Sequence, residues 1–385
     1  MKKYNLIATA SFGIESIVAD ELKDLGYTDI KVDNGKVEFT GTAYDICKTN
    51  LWLRTADRVM LKVAEFEAHS FDELFEKTKA INWGDIIDAD GKFPVAKISS
   101  VKSDLFSKSD SQSIIKKAVV ESMKKAYKKD WFMETGADFN IKAQILKNIV
   151  TLSIDTSGEA LHRRGYRTFI NQAPMKETMA AALLKLARWR GLDRALLDPT
   201  CGTGTFLIEA AMIATNRAPG INRKFASENW KIVPALDWEK ARKEARSLEN
   251  PNAEAHIFGS DISDESLETA KHNIKAAGYE NLIHLEKKDL KDITSEYKYG
   301  AIISNPPYGE RLSEQKEAED LYKLMGKVFT GRFDTWSYYV ITSEPKFELL
   351  FGKKSSKNRK LYNGGIECHF YQYFGQRPPK KEKVE

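Results

Sequence analysis

Asp198-Pro199-Thr200-Cys201-Gly202-Thr203-Gly204-Thr205 follows the apolar run Ala195 to Asp198 and opens a stretch of helical character, Gly204 to Thr215. A strand that ends in a glycine loop and turns into a helix marks the ligand corner of an open α/β sheet, because small residues let a ligand approach the backbone there. Two nucleotide loops are excluded: a P-loop ends in Gly-Lys-Ser/Thr, and a dinucleotide fingerprint needs a third glycine where this chain has Leu207. Asp198 at the strand end suits a ligand with a cationic amine. Taken alone, the loop is also what any tight strand-to-helix turn looks like, so its context decides.

Downstream, strand and helix keep alternating. Strands are predicted at His256 to Ser260, Ile283 to Lys287, Ala301 to Ser304 and Ser337 to Thr342, with helices at Asp264 to Ala277 and Glu317 to Phe329. That order gives a mostly parallel sheet covered on both faces. Asn358 to Tyr362 and Ile366 to Phe374 flank Asn363-Gly364-Gly365, which predicts a closing antiparallel hairpin. Asp261 and Asp289 follow two of the strands, so three strands end in Asp. This is the set expected for S-adenosyl-L-methionine: Asp198 on the amine, Asp261 on the ribose hydroxyls and Asp289 on the adenine amino group. Cys201, Gly202, Gly204, Thr205, Ile262 and Leu290 complete the expected cofactor site. The competing reading gives the acids to capping of the following helices.

Asn305-Pro306-Pro307-Tyr308 comes directly after a fourth strand. An exocyclic amine has its lone pair delocalised into the base. An Asn305 oxygen and the Pro306 carbonyl accepting its two hydrogens favour a pyramidal, nucleophilic nitrogen. Pro306 and Pro307 fix that geometry, and Tyr308 can stack on a base taken out of its helix. These four residues are the expected catalytic set. Cys201 lies in the glycine loop rather than in this turn, which argues for packing and against a nucleophile.

The front half reads as α+β. Tyr4 to Ala8, Lys31 to Phe39 and Arg58 to Phe66 are predicted strands around helices at Gly13 to Leu25 and Ala43 to Trp52, a ferredoxin-like order. A second unit follows, with a helix at Phe71 to Ala80, a strand at Phe93 to Ser99, a lysine-rich helix at Ser111 to Lys129, and strands at Asp138 to Leu146 and Asn148 to Ile154. Asp155-Thr156-Ser157-Gly158 reads as a turn-rich boundary.

Composition narrows the class. With 60 Lys and Arg against 55 Asp and Glu in 385 residues, the net charge of +5 is compatible with a polyanionic partner only if the bases cluster. Three widely spaced cysteines, Cys47, Cys201 and Cys368, predict neither a disulfide framework nor a metal site. No apolar run approaches the ~20 residues of a membrane span, so a cytoplasmic protein with no membrane partner is expected.

Together these residues resemble the THUMP-domain family of class I RNA methyltransferases over nearly the whole length. Further matching stretches are Thr151 to Gly158, Leu161-His162-Arg163-Arg164-Gly165-Tyr166-Arg167, Ala173-Pro174-Met175-Lys176-Glu177-Thr178 and Ile366-Glu367-Cys368. The resemblance implies a ferredoxin-like domain over 1–65, a THUMP RNA-binding domain over 66–160, a Rossmann-like methyltransferase domain over 161–375 and a disordered tail over 376–385. Lys117, Lys124, Arg163, Arg164 and Arg167 are expected to meet RNA phosphates. Relatives lead to the expectation that Asn216 to Ala255 forms a helical insertion near the site, with Arg217, Arg223 and Lys224 within reach of phosphate. Within the family the chain most resembles the bacterial guanine-N2 methyltransferases of large-subunit (23S) ribosomal RNA. Transfer-RNA guanine, adenine in RNA, DNA amino-methylation and a non-catalytic ribosome-assembly factor remain open alternatives.

Overall fold

The computed structural model describes residues 2–167, 175–191, 194–309 and 312–378, with backbone only at Leu312 and Ser313. The expected tail therefore lies outside the described residues from position 379 on, as do Ala173 and Pro174 of one matching stretch. The chain forms two compact units. One holds the residues up to Ala10, Val18–Leu161 and Gly220–Ser247; the other holds Ser11–Ile17, His162–Pro219 and the chain from Leu248 on.

The first part of the chain runs β1 (Tyr4–Thr9), α1 (Glu15–Asp24), β2 (Ile30–Asp33), β3 (Lys36–Gly41), α2 (Ala43–Trp52), β4 (Arg58–Glu67), α3 (Phe71–Lys79), β5 (Val95–Val101), α4 (Lys108–Tyr127), β6 (Ile141–Leu146) and β7 (Ile149–Asp155). The run predicted as one strand over Lys31 to Phe39 is two, β2 and β3, because Gly35 takes the left-handed φ of 73° that a tight hairpin turn requires. The two predicted α+β modules share one seven-stranded sheet, ordered β2-β3-β1-β4-β7-β6-β5. Ten-residue β4 makes this join. It pairs antiparallel with β1 on one edge and with β7 on the other, from Met60 against Asp155 to Glu67 against Ile149.

The second part runs α5 (Glu177–Leu186), β8 (Leu196–Asp198), α6 (Thr205–Ala214), α7 (Ala235–Ser247), β9 (Ile257–Asp261), α8 (Asp264–Ala277), β10 (Ile283–Lys287), β11 (Ala301–Ser304), α9 (Leu312–Arg332), β12 (Ser337–Thr342), α10 (Phe347–Phe351), β13 (Lys357–Asn363) and β14 (Ile366–Tyr373). Apart from α7, these elements make a seven-stranded sheet ordered β10-β9-β8-β11-β12-β14-β13. It is parallel from β10 to β12, and the antiparallel hairpin of β13 and β14 closes its edge as expected. Tyr322 and Phe329 of α9 pack with Phe347, Phe351, Tyr371 and Tyr373 in the core on one face. The sheet starts at its centre: β8 has β9 on one side and β11 on the other. Successive crossovers therefore leave in opposite directions and open a crevice at the carboxyl ends of β8 and β11.

Two departures from expectation occur in the first unit. The stretch read as a boundary is a buried polar knot. Asn50 donates to Thr156 Oγ1 (2.9 Å), Thr156 donates to the Val59 carbonyl (2.6 Å), and Ser157 donates to Asn50 Oδ1 (2.6 Å) while accepting from Val59 N–H (2.9 Å). Asp155 is paired with Arg58 and Lys142. The insertion is the second departure, since α7 packs on α2 in this unit. Trp230 stacks on Phe139 at 4.7 Å, and Phe225 stacks on Trp238 at 4.9 Å. Arg223, expected near phosphate, is buried and donates to the carbonyls of Glu159 and Ala160. Arg217 donates to the Ala277 carbonyl, and Lys224 is exposed. Among the described residues, no helix is long and apolar enough to cross a membrane.

Asn50→Ala should cost about 2–3 kcal/mol of unfolding free energy, because it removes the acceptor of the buried Ser157 hydroxyl and the donor to the buried Thr156 hydroxyl. Urea denaturation of the parent and the variant measures it.

Candidate active site

The site is built outward from β8, a three-residue strand buried along its length. Its last residue, Asp198, is 2% exposed. The Thr200 N–H donates to Asp198 Oδ1 (3.2 Å), and the carboxylate has no ion pair among the described residues. Burial pushes this carboxyl well above the usual range, and the neighbouring charge of Asp261 adds to that. The carboxyl end of this central strand thus holds a buried acid that lacks a cation among the described residues.

The glycine loop is fastened to β9. Cys201 N–H donates to the Ser260 carbonyl (3.0 Å), and Gly202 N–H donates to Asp261 Oδ2 (2.9 Å). Gly202 has φ 51°, and a side chain there would meet nothing within 4 Å, so this backbone borders open space. Gly259 does the opposite: a Cβ would come within 2.3 Å of Leu207, so glycine lets β9 and α6 close on each other. Cys201 is buried and its thiol is pushed well above the usual range by burial, in keeping with packing.

The two acids downstream differ. Asp261 is half-buried, and its second oxygen accepts from Ser263 N–H (3.0 Å). Ser263 is the residue that caps α8, through Ser266 N–H, so capping does not account for Asp261. Beside it Ile262 stands 68% exposed. Asp289 is a capping residue: it accepts from Lys291 N–H (3.0 Å) and pairs with the Lys291 ammonium (3.1 Å), contacts that hold its carboxyl below the usual range. Leu290 was expected to line the cofactor site, but its side chain belongs to the apolar core under α9, which leaves only its backbone for a ligand.

Asn305 follows β11, and the Thr200 hydroxyl lies 2.7 Å from that of Ser304, tying this turn to the glycine loop. Pro306 is buried and Pro307 exposed. The Tyr308 hydroxyl donates to Asn305 Oδ1 (2.7 Å) and lies 3.7 Å from the Cys368 sulfur; burial, reinforced by Cys368, pushes its phenol up. Tyr322 donates to the Pro307 carbonyl (2.8 Å). The turn is thus held from behind, with the Asn305 amide fixed by its own Tyr308. Tyr322, on α9, was not singled out from sequence, since at helical spacing it reads as core. Cys368 carried a signal only through the Ile366-Glu367-Cys368 stretch.

The basic residues separate. Arg164 is buried and pairs with fully buried Glu209, which also accepts from the Tyr166 hydroxyl. Arg167 donates to Thr205 Oγ1 (2.6 Å) and the Met175 carbonyl (3.1 Å) and pairs with Glu177. The expectation that Arg164 and Arg167 face RNA phosphate is corrected: buried carboxylates need a counter-charge, and these guanidinium groups supply it to Glu209 within α6 and Glu177 at the start of α5. Arg163 is exposed. On α4 of the other unit, Lys117 is exposed over the Phe75 ring and Lys124 pairs with Glu121. A cavity of about 300 Å³ over Leu197, Phe258, His284 and Tyr297 includes none of the loop residues; it forms where a three-residue turn replaces a crossover helix between β10 and β11.

The chain matches three families in order: an RlmL ferredoxin-like domain over residues 5–60, a THUMP domain over 68–155 and an RMKL-like methyltransferase domain over 164–372. It is 50% identical, over the full length of both chains, to the Bacillus subtilis (strain 168) protein named "Putative RNA methyltransferase YpsC". It is 34% identical to the Ribosomal RNA large subunit methyltransferase K/L of Psychromonas ingrahamii, matching over 97% of this chain but spanning about half (50%) of that relative. A crystal structure of a "putative methyltransferase complexed with SAH" superposes with a TM-score of 0.92 at 42% identity, covering 98% of this chain and 100% of that one.

A carboxyl with a raised pKa favours the fold in its protonated form, so that contribution is present at low pH and is lost as pH rises through the folded-state value. Asp198→Asn should therefore stabilise the ligand-free protein by roughly 1 kcal/mol at neutral pH, with the gap to the parent closing as pH falls. Denaturation midpoints across acid to neutral pH measure it; a gap that widens toward acid contradicts the assignment.

Proposed function

Because the chain belongs to the RMKL-like methyltransferases, with their ferredoxin-like and THUMP modules in front, we propose that it methylates the exocyclic amino group of a guanine in RNA. S-adenosyl-L-methionine is the donor, and large-subunit ribosomal RNA is favoured over transfer RNA as substrate. The K/L relative supports the ribosomal substrate and the SAH-bound relative supports the cofactor. The carrying observation is the Asn305 turn, fixed by Tyr308 and tied through Ser304 and Thr200 to the glycine loop.

The residues fit the cofactor. Asp198 offers a desolvated carboxylate without a cation to the methionine amine, Gly202 borders open space, Asp261 retains lone pairs for ribose hydroxyls, and exposed Ile262 offers an apolar face to adenine. Asp289 and the Leu290 backbone would hold the far edge of the ring. The cofactor supplies an electrophilic methyl group.

The chain's own part is to prepare the acceptor nitrogen. The Asn305 oxygen and the Pro306 carbonyl accept the two amine hydrogens, drawing the lone pair out of conjugation with the base. Positive charge developing on nitrogen is then met by acceptors already in place. Pro306 and Pro307 limit how far the carbonyls can drift. The Tyr308 hydroxyl orients Asn305, and its ring face remains for stacking. Lys117, Lys124 and Arg163 contribute to phosphate attraction.

Asn305→Ala should lower kcat on deproteinised ribosomal RNA by about 100-fold or more while calorimetric affinity for S-adenosyl-L-methionine stays near the parental value. A parental kcat would remove the proposed role. Digestion and mass spectrometry of ribosomal RNA, transfer RNA and DNA from a deletion strain identifies the substrate: loss of N2-methylguanosine from large-subunit RNA is expected, and loss of a methylated adenine instead would refute the guanine reading.

A further inference from the structure

The segment after α4 holds two apolar side chains in water. Trp131 is 80% and Met133 73% exposed. Of the other tryptophans, Trp83, Trp189, Trp230, Trp238 and Trp336 are buried and Trp52 is half-buried. This exposure does not come from a loose loop. Phe132, between the two, is buried edge-on to Phe93 (6.0 Å) and Tyr127 (6.4 Å). Lys128 ends α4 in the left-handed region (φ 52°), and Glu134 also takes a left-handed φ (49°). Glu134 accepts from Phe93 N–H (3.1 Å) and pairs with Lys116 (2.7 Å). The loop is anchored before, between and after its exposed residues, which keeps the indole rigidly presented.

The sequence leading to the indole is rich in lysine. Lys125, Lys128 and Lys129 are exposed and have no ion pair among the described residues, and Asp130 is the single acid in the stretch 124–133. Lysines at the end of a helix also answer its dipole, which accounts for Lys124 and Lys125 but gives no reason for an exposed tryptophan. A groove of about 800 Å³ beside this loop is lined by Val95, Gln112, Lys116, Lys117 and Glu134, so Glu134 belongs to both.

We propose that Trp131 stacks on an unpaired base of the RNA while Lys125, Lys128 and Lys129 hold the flanking phosphates. A planar π face among unpaired lysines is the chemistry that single-stranded nucleic acid satisfies: stacking is indifferent to base identity, and the ammonium groups follow the backbone. An apolar protein face would cover Trp131 and Met133 but leave the three lysines without counter-charges. The inference rests on the RNA substrate proposed above and adds a place where the front unit grips a loop or strand end.

Trp131 is the widely exposed indole, so iodide quenching of intrinsic fluorescence reads it selectively in the full-length protein. A short single-stranded oligoribonucleotide should shield it, and the same sequence annealed to its complement should shield it less. Trp131→Ala should bind the single strand roughly 5- to 100-fold more weakly, and Trp131→Phe should keep most of the affinity. On unmethylated RNA substrate, the alanine variant should raise KM and leave kcat unchanged. Parental affinity and KM in Trp131→Ala, with the parent active on RNA, overturn this contact and leave the functional reading intact. Shielding by single-stranded RNA in a protein that methylates no RNA leaves the contact standing and removes the functional reading. Shielding that grows with protein concentration in the absence of RNA marks a self-association face and overturns the proposal.

Discussion

A carboxylate buried at the end of a three-residue central strand is the constraint around which the catalytic unit is arranged. Asp198 cannot move away, because β8 is flanked by β9 and β11 and the loop that follows is fastened to Ser260 and Asp261. Among the described residues it has no cation, so ionising it carries a cost that a cationic ligand would relieve. The same crowding sets the neighbouring glycines: Gly202 leaves room for a ligand, whereas Gly259 removes room between strand and helix. The Thr200 and Ser304 hydroxyls carry this rigidity to the Asn305 turn, so the glycine loop and that turn are parts of one framework.

Much of this unit was legible in the sequence, for a physical reason. Its inner strands β8, β11 and β12 are buried and stand out as short apolar runs with a polar residue at the carboxyl end; β10, β11 and β12 begin and end where the pattern places them. Gly364 and Gly365 announced the final hairpin in the same way. The front unit was less legible, because the partner of β4 is β7, more than ninety positions away along the chain for Met60–Asp155 and Leu61–Ile154. No local pattern reports a pairing of that separation, so the two modules were legible but the sheet they share was not.

The misread charges share a cause. Arginine is usually a surface residue, and Arg164 and Arg167 were read that way. For Arg164 the missing signal was its partner Glu209, which sits in the otherwise apolar run Phe206-Leu207-Ile208-Glu209-Ala210-Ala211. An acid in the middle of a wholly apolar helix has to be buried, and a buried acid calls for a buried base. The Asn50, Thr156 and Ser157 knot was missed likewise, because Asp-Thr-Ser-Gly has the composition of a turn whether its side chains face water or one another.

The course of the backbone through residues 220–247 has a consequence for inheritance. The peptide enters the catalytic unit, leaves it to lay α7 and the rings of Trp230 and Trp238 on the front unit, and then returns. A genetic crossover near residue 160 would separate that helix from the surface it covers and leave apolar rings on one product and a bare patch on the other. Recombination can therefore transplant this protein as an undivided cassette far more readily than it can trade one end for another, and the K/L relative contains a stretch corresponding to nearly the entire chain within its longer one.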